Sequence, residues 1–323
     1  MRYKIIISLI FTCLFSLRIT SQTFFIPSDT LNKKRLNSAL VFSATTYTAF
    51  SIGLYNIWYK KYERESFHLF NDWGEWNYMD KIGHLHTTYF QGVLCYKGAR
   101  WTGLSKKKSI LTGLVCGTLF QSTIEVMDGF SSKWGFSIPD MAFNVAGISS
   151  FALQQHFWDD QRITIKVSSI PVSYPSDPIV SENSLSVSSQ KKRAENLFGT
   201  NYFERFLKDY NAQTYWASVN VHSFLPQGNK WPAWLNIAVG FGAENMYGGF
   251  DNQWTENSNL YNLSQNIYPR YSQFYIGFDV DLPKLNPKNP LLKTICSVVN
   301  IFKIPSPAIE INTNGNIIFH ILR

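Results

Sequence analysis

Between Asp80 and Gly147 a few polar residues recur at intervals of three or four inside otherwise apolar sequence. That spacing constrains the fold more than any other feature of the chain. The stretch reads Asp80-Lys81-Ile82-Gly83-His84, then Glu125-Val126-Met127-Asp128-Gly129, then Trp134-Gly135-Phe136-Ser137-Ile138-Pro139-Asp140, and closes with Asn144 and Gly147. Residues three or four apart share one face of an α-helix, so each group forms a stripe on a helix. No phosphate loop, nucleophile elbow or zinc motif accompanies them.

The apolar periodicity predicts four helices. Residues 40–59 form the longest apolar run, diluted by Ser and Thr, and read equally as a membrane span or a buried helix. The charged, aromatic segment 60–77 suits an interface. A second helix over 80–96 carries Asp80, His84, Thr87, Thr88 and Gln91 on its polar face. Ile82, Leu85, Tyr89, Val93 and Tyr96 lie on its apolar face. His86 points elsewhere and reads as surface. After the basic turn 97–108 comes a third helix, 110–127, in which Gly113 and Gly117 admit a close neighbour. Its polar stripe is Gly117, Gln121, Glu125 and Asp128. A fourth helix runs over 138–157, with Ser137 as N-cap and Pro139 in its first turn. Short connections make consecutive helices antiparallel neighbours. The start of the second, the end of the third and the start of the fourth therefore meet, and their polar residues converge.

Each of these residues has a structural reading beside a functional one. Asp140 stands three after Ser137, a capping-box spacing, and either satisfies free amides or joins the cluster. Asp80, three after Asn77, has the same two readings. Glu125 and Asp128 sit at a helix C-terminus, where the dipole disfavours negative charge, so Lys81, His84 or a bound cation has to compensate them. Asn144 and Gly147 most simply mark a close helix contact. The binding set is Asp80, Lys81, His84, Glu125, Asp128, Asp140 and Asn144. Carboxylates with one histidine suit an oxygen-preferring divalent metal, with Asp80, His84, Glu125 and Asp128 as candidate ligands. Were the chain an enzyme, His84, Glu125 and Asp128 would be the catalytic candidates, with His84 as acid or base.

The second half changes character. Residues 168–192 are rich in Ser, Pro and Val and read as a linker; 194–210 reads as an amphipathic helix. The period then becomes two: Leu235, Ile237, Val239 and Phe241 alternate with small or polar residues, as do Phe274, Ile276, Phe278, Val280 and Leu282. These are strands with one buried face. The C-terminus reads as a hairpin around Asn314-Gly315. A two-residue loop would set Ile309 opposite His320. A three-residue loop pairs Ile311 with Ile317 and Ile309 with Phe319, and is preferred because it gathers the apolar side chains on one face. A helix over 291–302 is expected to pack on the sheet. The fold class is thus α+β: a signal at 1–22, a bundle of about four helices at 38–160, a linker at 168–192, and an antiparallel β-region with a short helix at 194–323.

Composition narrows location and partners. Of 323 residues only 16% are charged and 16% are aromatic, against about 25% charged in soluble domains. The mean hydropathy of −0.13 is too low for a chain made mostly of spanning helices. A formal charge of +8 suits anionic lipid headgroups or acidic glycans. Nucleic acid is excluded as a partner because the basic residues are scattered and no binding motif accompanies them. Arg2, Lys4 and the apolar run 5–17 resemble a secretory signal, too short to span a bilayer. Cys13 lies in a poor setting for lipidation, and Cys95, Cys116 and Cys296 form no disulfide framework. If all four helices spanned the inner membrane, the basic turn 97–108 would lie outside, against the positive-inside tendency. A periplasmic or outer-membrane-associated globule is therefore expected, with an inner-membrane bundle as the alternative.

The motifs Asp80-Lys81-x-x-His84, Glu125-x-x-Asp128-Gly129 and Gly135-Phe136-Ser137-x-x-Asp140-x-x-x-Asn144-x-x-Gly147 resemble the predicted periplasmic lipoprotein family that includes YfiM. They are more distantly similar to VanZ-like membrane proteins. The resemblance covers residues 40–157 and implies an envelope location, without an established activity. The chain departs from the lipoprotein pattern in having no convincing lipidated cysteine after the signal. The resulting expectation is a non-catalytic envelope protein whose polar cluster fixes helix packing or binds a lipid or cell-wall ligand. Its partners would be envelope lipid and a cell-wall or outer-membrane component. The alternative is a metal-dependent hydrolase or transferase acting on a lipid-linked or cell-wall substrate.

Overall fold

The computed structural model describes residues 22–323. The expected signal, apart from its last residue, and Cys13 lie outside the described residues. Four long helices come first: α1 (Lys33–Leu54), α2 (Met79–Trp101), α3 (Lys106–Gly129) and α4 (Ile138–Phe157). Strands β1 to β10 follow, with α5 (Gln190–Phe198), α6 (Tyr202–Lys208) and α7 (Pro290–Val299) between them.

Helices α2, α3 and α4 pack together through missing side chains. A Cβ on Gly113 would sit 2.6 Å from the carbonyl of Gly92, and one on Gly117 would sit 3.2 Å from that of Thr88. At Gly147 a Cβ would run into the carbonyl of Leu85. The expected close approach at these glycines is therefore present, and Phe151, Ile148 and Tyr89 fill the space between. Helix α1 is not a buried helix, because none of its residues is buried. It leans on α3, where Tyr47 Oη and Thr123 Oγ1 are 2.7 Å apart. Helix α3 is long and apolar enough to cross a membrane by length and composition.

The antiparallel sheet runs in the order β1 (Ile163–Ser169), β4 (Gln213–Val219), β5 (Leu235–Glu244), β8 (Tyr271–Val280), β9 (Ala308–Asn312) and β10 (Ile317–His320). Its hairpin β9 (Ala308–Asn312) to β10 (Ile317–His320) pairs Ile311 with Ile317 and Ile309 with Phe319, as the three-residue loop requires. Gly315 takes the left-handed conformation there (φ 84°).

The alternation in β5 (Leu235–Glu244), β8 (Tyr271–Val280) and β9 is inverted relative to a soluble sheet. Asn236, Gln273, Asp279, Glu310 and Asn312 are buried, whereas Val239, Phe274, Ile276, Ile309 and Ile311 are exposed. The opposite side is a polar core in which most groups are paired. Lys166, fully buried, pairs with Asp279 at 2.6 Å, and Asp279 also accepts from Ser218 at 2.6 Å. Such a core stands only if its groups are paired. On the other side β1 (Ile163–Ser169) and β4 (Gln213–Val219) meet α2, with Val167 and Tyr215 packed on Met79.

Three expectations need correcting. The expected helix at 194–210 is two short helices, because Gly199 turns left-handed (φ 87°) and Asn201 caps the second. The helix expected over 291–302 does not pack on the sheet: α7 ends at Val299, buries none of its residues, and contacts the 3-10 turns Gln22–Phe25 and Leu282–Leu285. His86 is no surface residue, lying between the rings of Phe90 and Tyr215 at 6% exposure. Segment 168–192 holds the end of β1 and the small ladder β2 (Ile179–Val180) with β3 (Val187–Ser188). Tyr174 in this segment packs on the cluster of Tyr247, Trp254 and Tyr261.

Candidate functional site

The chain enters α2 through three successive non-glycine residues in the left-handed region: Trp76, Asn77 and Tyr78, with φ of 51°, 49° and 67°. Such a turn is unfavourable and persists only where its surroundings over-determine it. Here the C-terminal region does so. The Trp76 N–H donates to the carbonyl of Gly249 at 2.7 Å, its ring packs on Phe198 and Tyr210, and Arg270 donates to Asn77 Oδ1 at 3.4 Å. Asn77 therefore does not cap α2, and the carboxylate of Asp80 is left for other partners.

Lys81 occupies the centre. Its side chain is 0% exposed, and Nζ lies 2.6 Å from Asp72, 2.6 Å from Asp140 and 3.0 Å from Asp80. The second oxygen of Asp80 accepts from Tyr210 Oη at 2.7 Å. Ser137 caps α4 as expected, its Oγ accepting from the Asp140 N–H at 3.0 Å while donating to Asp72 at 2.6 Å. Its own N–H donates to Glu125 Oε2 at 3.2 Å, so the reciprocal half of a capping box is absent. The side chain of Asp140 goes to Lys81 instead, and that of Glu125 ties the end of α3 to the start of α4.

His84 stands among these groups without a short bond to any carboxylate. Nε2 is 3.8 Å from Asp80 and 3.8 Å from Asp140, and Nδ1 is 3.2 Å from Asn144 Oδ1 and 3.6 Å from Glu125 Oε1. Glu125 Oε1 is buried and has no hydrogen-bond partner among the described residues. Asn144 Oδ1 also accepts from Thr88 at 2.8 Å, which locks α2 to α4. The three expected helix ends thus do bring Asp80, Lys81, His84, Glu125, Asp140 and Asn144 together. Asp128 stands at the margin: it accepts from Tyr59 Oη at 2.7 Å and makes no ion pair with Lys81 or His84. Lys81 compensates Asp72, Asp80 and Asp140 rather than Glu125 or Asp128.

Acid outnumbers base, and this sets the proton balance. Burial raises Glu125 to about 8 against the opposing pull of His84, and raises Asp128 to about 7. Burial, the charge of Asp80 and a hydrogen bond to Asp72 raise Asp140. Asp72 is held low despite its burial, because Asp140, Lys81 and Ser137 all donate to it. Asp80 is also held low against burial, by His84, Lys81 and Tyr210. Glu125 accordingly favours its protonated form near neutrality, while Asp140 keeps its contact with Lys81. Asp80, His84 and Asp140 each offer one ligand atom within 4.8 Å of the others. Those three atoms are close enough together for one divalent cation to touch all of them.

Sequence reasoning missed Asp72, Tyr59 and Tyr210. Asp72 lies in a loop, where helical periodicity carries no information, and Tyr210 lies 130 residues from the aspartate it contacts. Asp72 does precede Asp80 in the charged segment 60–77, the one weak signal available.

Residues 69–156 match the family described as "Predicted periplasmic lipoprotein (DUF2279)". That span holds Asp72 and every cluster residue on α2, α3 and α4, while Tyr210 and the whole sheet lie beyond it. No curated protein and no solved structure matches the chain. The family description agrees with a periplasmic, cell-envelope location and carries no activity.

Proposed function

We propose that this chain is a non-catalytic envelope protein, and that the buried cluster is the joint seating its C-terminal β-region on the helical bundle. The carrying observation is the bond from Tyr210 to Asp80 above a lysine with no exposed surface. Charges spent on one another in this way favour cohesion over turnover. The strained turn 76–78 supports the same reading, since the β-region holds it in place. A cavity of roughly 170 Å³ lies away from the cluster beside Arg205 and Phe206, and one of roughly 440 Å³ adjoins its margin beside Tyr59 and Arg64.

A second reading has its own support. The Asp80–His84–Asp140 triangle and the unpartnered Glu125 Oε1 suit a divalent cation, and His84 and Asp80 form the cluster's more open edge, 13% and 18% exposed. A metal-dependent hydrolase or transferase acting on a lipid-linked or cell-wall substrate would work from that edge. Elemental analysis of purified protein separates the two readings, with thermal unfolding followed before and after chelation. The joint predicts substoichiometric metal and unchanged unfolding. One bound ion per chain, with a melting temperature that falls on chelation, would favour the metal centre.

A further inference from the structure

The apolar face of β5, β8, β9 and β10 carries none of the cluster residues, and it leaves large apolar side chains exposed. Strand register aligns it in two rows. One row is Phe241, Phe274, Ile311 and Ile317; the other is Val239, Ile276, Ile309 and Phe319. Except for Phe241, which also packs towards the bundle, all are exposed, reaching 67% at Phe319 and 74% at Ile317. No side-chain donor or acceptor interrupts either row. Polar character returns at Ser272 and Thr313, where the Ser272 N–H donates to Thr313 Oγ1. The exposed area is on the order of 800 Å², above the few hundred Å² that soluble monomers leave open.

We propose that this face rests in the hydrocarbon boundary of a lipid bilayer bearing anionic headgroups. The inversion itself points to lipid: apolar side chains outward and ion pairs inward is the order of a sheet that meets acyl chains. Protein interfaces carry about one hydrogen bond per 100–200 Å², whereas these rows offer no polar side chain. Helix α7, in the same C-terminal region, repeats the chemistry. Leu291, Ile295, Val298 and Val299 share one exposed face, while Lys288 and Lys293 are exposed with no ion pair among the described residues. Exposed apolar helix faces with adjacent lysines suit the plane of an anionic membrane. Strand β10 ends the sheet with an open edge, which hydrocarbon does not tolerate across its full depth, so the contact is shallow and does not span.

The test uses the full-length chain with vesicles of phosphatidylethanolamine and phosphatidylglycerol. An environment-sensitive fluorophore is placed on Phe319→Cys in a background whose four native cysteines are serine. It should shift to the blue and be quenched by nitroxide-labelled acyl chains, while the same label on Ser258→Cys should not. The I276E/I309E double substitution should lower vesicle binding through this face by about tenfold, leaving thermal unfolding unchanged because both positions are exposed. A label at 319 that remains in water while the chain floats with vesicles overturns the proposal. So does a label already shielded in solution by a second copy of the chain. Neither outcome bears on the cluster, because none of its residues belongs to the labelled strand or to the substituted rows.

Discussion

Tyr210 Oη donates to Asp80 Oδ1 at 2.7 Å, joining the segment that leads into β4 to the first turn of α2 across 130 residues of sequence. The phenol is buried, and its pKa is raised by burial and by the charge of Asp80. It therefore remains a donor at every physiological pH. The aspartate is kept ionised by His84, Lys81 and this bond despite its burial.

Tyr210→Phe removes one hydrogen bond to a charged acceptor and little volume. Stability should fall by about 1.5–3 kcal/mol in urea unfolding. The loss should be larger at neutral pH than in acid strong enough to protonate Asp80, where the acceptor is weakened in wild type as well. An equal loss at both pH values would show that packing of the ring matters more than the bond.

Glu125 sets the alkaline side of the stability profile. Its folded pKa of about 8 lies above the unfolded value, so the folded state binds the extra proton. Stability from this group is fully present below the unfolded carboxylate pKa and is lost as pH rises towards 8. Glu125→Gln should therefore flatten the decline between pH 5 and 8 and stabilise the protein at pH 8 by on the order of 2 kcal/mol. Chemical denaturation across that range measures it.

His86 acts on the acid side with the opposite sign. Burial lowers its pKa to about 4, below the unfolded value of 6.5. Its neutral form is favoured by folding, so stability is whole above pH 6.5 and falls as pH drops towards 4. His86→Leu should remove that acid-side loss while changing little at pH 8, as read by melting temperature at both pH values.

Two glycines make a matched pair. Gly147→Ala would drive a methyl into the Leu85 carbonyl and force α4 off α2, at about 1–3 kcal/mol or more. Gly53 has nothing within 4 Å of its added Cβ, so Gly53→Ala should stabilise α1 by about 0.5–1 kcal/mol. Parallel thermal unfolding compares them.

Helical periodicity made the bundle and the meeting of its three ends legible, because polar residues at intervals of three or four leave few placements once connections are short. The C-terminal hairpin register was legible too, since only a three-residue loop aligns Ile309 and Ile311 with Phe319 and Ile317. The sheet's sidedness was not. A period of two fixes which residues share a face but not which face is buried, and here Lys166 with Asp279 went inside while Ile276 and Ile309 went out. His86 was misread because a lone imidazole off the polar stripe carries no sign that Phe90 and Tyr215 will enclose it. The role of Tyr210 depends on long-range docking, which local pattern does not encode.

Lys81→Met, followed by hydrogen exchange on the full-length chain, tests the joint most directly. Removing the lysine that pairs with Asp72, Asp80 and Asp140 leaves buried carboxylates unpaired. The account predicts faster exchange in the first turn of α2 and, together with it, in residues 209–215 and 246–250, with partial recovery at acidic pH. Faster exchange confined to α2, with those C-terminal segments as protected as in wild type, would contradict it.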